Sequence, residues 1–137
     1  MKFKLILLLC GVLIPVLVQA QEDPERWMAP AEADTLTNPF DHDDADARAK
    51  GQETFTMLCA ACHGDRGDGT GAAGQAWNPP PADFTTSDVQ SQTDGALYWK
   101  ISEGNPPAML QYKNMIEEEE IWQLVTYLRT FAPDAEE

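Results

Sequence analysis

The sequence predicts an all-α fold of three or more helices joined by long loops. Two apolar patterns at helical spacing support this, together with a central stretch unsuited to regular structure. Near the C-terminus Ile121, Leu124, Val125 and Leu128 form a stripe at i, i+3, i+4 and i+7. Earlier, Gly51, Phe55 and Leu58 fall at i, i+4 and i+7. Between these segments lie Gly64, Gly67, Gly69, Gly71 and Gly74, then the triplet Pro79-Pro80-Pro81, which argues for irregular chain. No convincing strand and no internal repeat is found.

The first helix is expected from about Asp44 to Ala61. A shorter one follows near Thr93–Glu103, with Leu97 and Ile101 at i and i+4 and Gly104 as its stop. Pro106 and Pro107 then force an extended segment. The last helix opens with Glu117 to Glu120, where the helix dipole favours negative charge, carries Arg129 near its end and is stopped by Pro133.

Residues 1–20 are set apart from this domain. Lys2 and Lys4 precede an apolar run from Leu5 to Val18, and Val18-Gln19-Ala20 places small residues at the −3 and −1 positions of a cleavage site. That order predicts a secretory signal peptide, and the run is short for a membrane span; an uncleaved membrane anchor is the alternative. A lipoprotein signal on Cys10 is disfavoured by the large Leu9 and the early position. Residues 21–44 are polar and acidic, with Pro24, Pro30 and Pro39, and read as a flexible lead-in or linker whose Trp27, Met28 and Phe40 could lie down on the domain surface. The domain proper spans 45–132, and 133–137 form an acidic tail.

The whole chain of 137 residues has a net charge of −14. Removing residues 1–20 takes away Lys2 and Lys4 and no acid, leaving seven bases against 23 acids, or −16. No basic patch is present, so nucleic acid is not an expected partner. Such acidity keeps a protein soluble and can steer a basic partner.

Fewer than ninety residues, many of them in Gly/Pro-rich loops, make a poor apolar core. A chain this short calls for a staple such as a disulfide, a metal or a cofactor. The two cysteines left after removal of Cys10 are Cys59 and Cys62, and they belong to Cys59-Ala60-Ala61-Cys62-His63. C-x-x-C-H is the attachment signature of haem c. Two thiols three residues apart lie on one helical turn and can reach the two vinyl groups along a porphyrin edge. His63 then directs an imidazole nitrogen at the iron, and the small Ala60 and Ala61 leave room for the ring. A thioredoxin-like disulfide would need a surrounding β-α-β pattern, which is missing. Zinc would need four ligands, and His42 is remote in a polar segment.

Over residues 45 to 132 the sequence resembles the class I, or cytochrome c-like, monohaem electron carriers. Gly51 and Phe55 precede Cys59 by eight and four residues, as in the family's N-terminal helix, and I-W-Q-L-V-T-Y-L-R resembles its last helix. The resemblance implies one covalently bound haem c wrapped by helices and long loops, with Gly51 and Phe55 meeting Tyr127 where the two helices cross. A glycine within a helix costs about 1 kcal/mol against alanine, which close helix packing would offset. It also implies a methionine as the second axial ligand. Met57 is too near the attachment turn, Met28 is in the lead-in, and Gly104, Met109 and Tyr112 fit the outline G-x-x-x-M-P-x-F. Met109 is therefore the expected ligand and Met115 a core residue, with Leu110 standing where the family usually has proline.

A haem-ligating histidine generally donates its other N–H to a carbonyl. In the family a proline supplies that carbonyl. Pro79, Pro80 and Pro81 are candidates, and Pro80 is the chosen one. Trp77, Phe84 and Trp99 are expected to wall the haem, and His42 to be solvated. The run D-R-G-D-G-T-G lacks the ligand register of an EF-hand and the lysine of a phosphate-binding loop. The expected function is that of a periplasmic single-electron carrier or a haem subunit of a respiratory complex, not an enzyme, with redox proteins rather than a small-molecule substrate as partners. A basic docking patch on the partner and a membrane respiratory complex both fit. The A-x-x-C-H-G context, the W-M-A-P segment and P-P-A-D-F resemble c-type subunits docked on respiratory enzymes. The rival class is a haem enzyme or small-gas sensor with an open or displaceable sixth position.

Overall fold

The computed structural model describes residues 27–133, so the signal peptide expected at 1–20 and most of the acidic tail lie outside the described residues. Among the described residues there are five α-helices: α1 (Ala45–Leu58), α2 (Ala60–His63), α3 (Ser87–Gln90), α4 (Asp94–Glu103) and α5 (Glu118–Leu128). Short 3-10 turns occupy Ala31–Thr35 and Arg129–Phe131. Among the described residues there is no strand, only one isolated antiparallel pair, Asn105 with Met109. The all-α class is what the sequence predicts. No helix among the described residues is long and apolar enough to cross a membrane.

Each long helix starts on a side-chain cap. The Asp44 carboxylate accepts from Ala47 N at 2.9 Å to open α1, and the Thr93 hydroxyl accepts from Ala96 N at 3.0 Å to open α4. At α5, Glu117 and Glu120 form a reciprocal capping box, satisfying donors at the start that would otherwise lack partners. The helix expected from 44 to 61 ends earlier, at Leu58. There the amides of Cys62 and His63 both turn to the carbonyl of Cys59, at 3.1 and 2.9 Å, and begin α2.

α1 and α5 cross at Gly51. A Cβ there would collide with the carbonyl oxygen of Gln123 and come within 2.8 Å of the Tyr127 Cβ. The close approach brings Phe55 to 5.4 Å from Tyr127 and 5.3 Å from Phe131, ring centre to ring centre. Ile121, Leu124, Val125 and Leu128 are buried beneath, with Leu97 and Ile101 of α4. Tyr98 of α4 stacks on Trp122 of α5 at 4.1 Å.

Residues 27–44, expected as a flexible lead-in, lie against the domain. Ala33 is buried, and its carbonyl sits so near Gly95 that any side chain at 95 would displace it. Trp27 meets Trp99 at 6.1 Å. The composition of this segment conceals the polar part of its anchoring: one carboxylate, Asp94, collects partners from both ends of the domain. Its Oδ2 accepts from Asn38 Nδ2 at 2.9 Å and His42 Nε2 at 2.8 Å, and its Oδ1 from Arg129 Nε at 2.8 Å. Arg129 also donates to the carbonyls of Gln90 and Gln92. His42 is thus a clamp residue rather than a purely solvated one.

Burial alone would raise the Asp94 pKa, but hydrogen bonds from Asn38, His42 and Arg129 outweigh it and hold the carboxyl below the usual range. A depressed carboxylate stabilises the fold above the unfolded value of about 3.9 and loses that contribution as pH falls through its folded value. Asp94→Asn is expected to cost about 1–3 kcal/mol at neutral pH, with the gap to wild type narrowing below about pH 4. Denaturant titrations at pH 7 and in acid check this; a gap constant with pH would refute it. Gly51→Ala is expected to destabilise the holoprotein by about 1–3 kcal/mol despite alanine's better helix propensity, because α5 must move outward. A higher denaturation midpoint for this variant would show that the crossing is looser than described.

Candidate functional site

The break between α1 and α2 places Cys59 and Cys62 on one turn, both half-buried, with Ala60 packed into the core between them. The glycine-rich chain folds back over this turn. Gly69 N donates to His63 O at 2.8 Å, Ala73 N to Ala61 O at 3.0 Å, and Phe84 N to Gly67 O at 2.7 Å. Burial, and secondarily the neighbouring Cys62, pushes the Cys59 thiol up to about 12. Redox-active and nucleophilic cysteines need the opposite shift, so Cys59 is poorly suited to act as an attacking thiolate.

His63 is half-buried, and its ring stacks on Phe84 at 4.6 Å with 21° between planes. Nδ1 lies 3.0 Å from the carbonyl oxygen of Ala82. A carbonyl only accepts, so Nδ1 carries the hydrogen and Nε2 keeps its lone pair. Burial lowers the His63 pKa, against an opposing effect of the Ala82 bond, which favours the neutral imidazole a metal requires. The expectation for Pro80 is corrected here: the acceptor is Ala82. Phe84, fixed by its stack on the ring and its bond to Gly67, brings the carbonyl two residues before it to Nδ1, while Pro79 and Pro80 are exposed. Among the aromatics expected around the site, Phe84 touches the imidazole, Trp77 is exposed, and Trp99 is engaged with Trp27.

Of the four methionines in the described residues, Met28, Met57 and Met115 are 61%, 73% and 54% exposed, whereas Met109 is half-buried against the core. The expectation that Met115 is core is therefore corrected; the neighbouring Ile116 packs there instead. The Met109 loop is held without a following proline. Asn105 N donates to Met109 O at 2.9 Å and Met109 N to Asn105 O at 3.0 Å, closing a loop through Pro106 and Pro107. Tyr112 N then donates to Ile101 O, and the buried Tyr112 hydroxyl donates to Leu58 O at 3.2 Å. Neither the Asn105 pairing nor the Ala82 carbonyl has a side-chain signature, which is why sequence reasoning missed both.

These residues fit a haem c. Two half-buried thiols share one turn, the following imidazole is neutral with a free Nε2, and one methionine is withdrawn from solvent in a pinned loop. A family model described as "Cytochrome C oxidase, cbb3-type, subunit III" matches residues 46–128, more than half of the chain. The sequence matches no curated protein. Among solved structures, the KustC0563 c-type cytochrome is similar at 26% identity and a TM-score of 0.50, over 61% of this chain and 98% of that one. The Kuenenia stuttgartiensis reducing HAO-like protein complex Kustc0457/Kustc0458 is similar at 28% identity and a TM-score of 0.52, over 61% of this chain but 41% of that one. The chain belongs to the cytochrome c oxidase, cbb3-type, subunit III family, as a class I single-haem c-type cytochrome with covalently bound haem c.

Proposed function

We propose that this cytochrome is a periplasmic single-electron carrier, or the haem subunit of a respiratory complex, with Cys59 and Cys62 as the covalent attachments and His63 and Met109 as the axial ligands. The observation that carries the reading is the Nδ1–H bond from His63 to Ala82 on the turn that holds both cysteines, since it leaves Nε2 free for iron. When bound, the haem supplies a one-electron couple at its iron. The chain's own residues position and tune it. Cys59 and Cys62 prevent its loss, and the Ala82 carbonyl orients His63 and raises its basicity. A methionine sulfur from Met109 would favour a higher potential than a nitrogen donor. Export through the signal peptide expected at 1–20 supports a periplasmic setting. The similar HAO-like complex supports protein partners for a domain of this kind.

With Cys59 and Cys62 as attachments, the haem is expected to stay with the chain through acid denaturation and solvent extraction, and to be lost from Cys59→Ala/Cys62→Ala. Met109→Ala should lower the potential and admit carbon monoxide to the reduced protein, while wild type does not bind it. Carbon monoxide binding to wild type would instead favour the gas-sensor or enzyme reading.

Charge supports the partner reading in part. The Asp68 carboxylate is held below its usual range by the Thr70 hydroxyl and by Arg66, which pairs with it at 3.0 Å. Of the two acids nearest His63 in sequence, Asp65 is thus the better candidate to meet a basic partner. A freely diffusing carrier should transfer electrons more slowly as salt rises, since screening acts over about 8 Å at physiological ionic strength. Asp65→Asn should slow transfer to the true oxidant more than Asp68→Asn does. Stopped-flow rates independent of salt would point to a permanently assembled subunit.

A further inference from the structure

We infer that the Tyr112 hydroxyl is a positioning group for the sixth-ligand loop, joining it to the haem-attachment turn. This rests on Met109 being the sixth ligand. Where α1 gives way to α2, the amides of Cys62 and His63 both turn to Cys59 O, so neither bonds to the carbonyl of Leu58. Tyr112, a residue only 8% exposed, supplies a donor to that carbonyl from 54 residues away. A carbonyl at the end of a helix lacks an intrahelical donor, and a side-chain hydroxyl can supply one.

Leu58 is the residue before the first attachment cysteine, and Tyr112 lies three residues after Met109. One hydrogen bond therefore spans the two segments that hold the haem. The backbone of Tyr112 is fixed as well. Its N–H donates to Ile101 O at 3.3 Å, and its carbonyl accepts from Met115 N at 2.8 Å and Ile116 N at 3.1 Å. The hydroxyl thus projects from an anchored point, so its bond restrains the loop rather than following it. The pairing of Met109 with Asn105 fixes the loop internally, and the Tyr112 bond fixes it relative to the cysteines. A phenylalanine at 112 would keep the ring packing and lose only that restraint.

The test uses the full-length holoprotein with imidazole as a probe for the ferric iron, competing against Met109. Tyr112→Phe should retain covalent haem and bind imidazole roughly five- to tenfold more tightly, the equivalent of one lost net hydrogen bond. The red charge-transfer band of sulfur-ligated ferric haem should weaken in the same titration. Arg129→Gln, which loosens the Asp94 clamp instead, should lower the denaturation midpoint without changing imidazole affinity. If Tyr112→Phe binds imidazole as wild type does while Met109→Ala opens the iron, the positioning role is overturned and the ligand stands. If Met109→Ala leaves the spectrum unchanged, the ligand assignment falls and the positioning role with it. An equal gain in affinity for Arg129→Gln would show a global loosening and overturn the specific role.

Discussion

The contact on which the rest depends is the crossing of α1 and α5 at Gly51. With no side chain at that point, the Gln123 backbone and the Tyr127 Cβ lie directly against α1. The crossing is also where the two ends of the domain's sequence meet. A domain of fewer than ninety residues gains its core there, from Phe55 and the buried stripe of α5, before any cofactor is considered.

That contact reaches the site through an aromatic sequence. Phe55 leans on Tyr127 and Phe131, Phe84 stacks against Phe131 and packs edge-on to Phe55, and His63 stacks on Phe84. The imidazole is therefore placed by the same cluster that holds the helices together. Its orientation is set by one further restraint, the Ala82 carbonyl, which also fixes the tautomer. Rigid support of this kind suits electron transfer, in which the ligand geometry should change little between oxidation states.

Features specified by side-chain type or periodicity were legible in the sequence. The C-x-x-C-H turn, the α5 stripe and the acidic start of α5 all declare themselves in this way, while the Gly51–Tyr127 contact follows from the resemblance to the cytochrome c-like family. What escaped was carried by backbone groups or by long-range polar pairing. The break after Leu58 interrupts an otherwise helical pattern, and no residue type announces it. Ala82 acts through its carbonyl, so the three preceding prolines drew attention to the wrong position. Met115 has the chemistry of a core residue, but Ile116, one position on, takes the inward place. Composition predicts a loose acidic lead-in, whereas for residues 27–44 Gly95 and Asp94 supply a seat that composition cannot reveal.

The Asp94 clamp also bears on how the domain can be joined to other polypeptides. Asn38 and His42 on one side and Arg129 on the other meet at a single carboxylate, so the segment leading into α1 and the end of α5 are held at neighbouring points. Domains whose ends lie together can be inserted within, or appended to, a larger protein without stretching the host. By tying the approach to α1 to the end of α5 at one carboxylate, the clamp suits this fold to being carried within chains of different length.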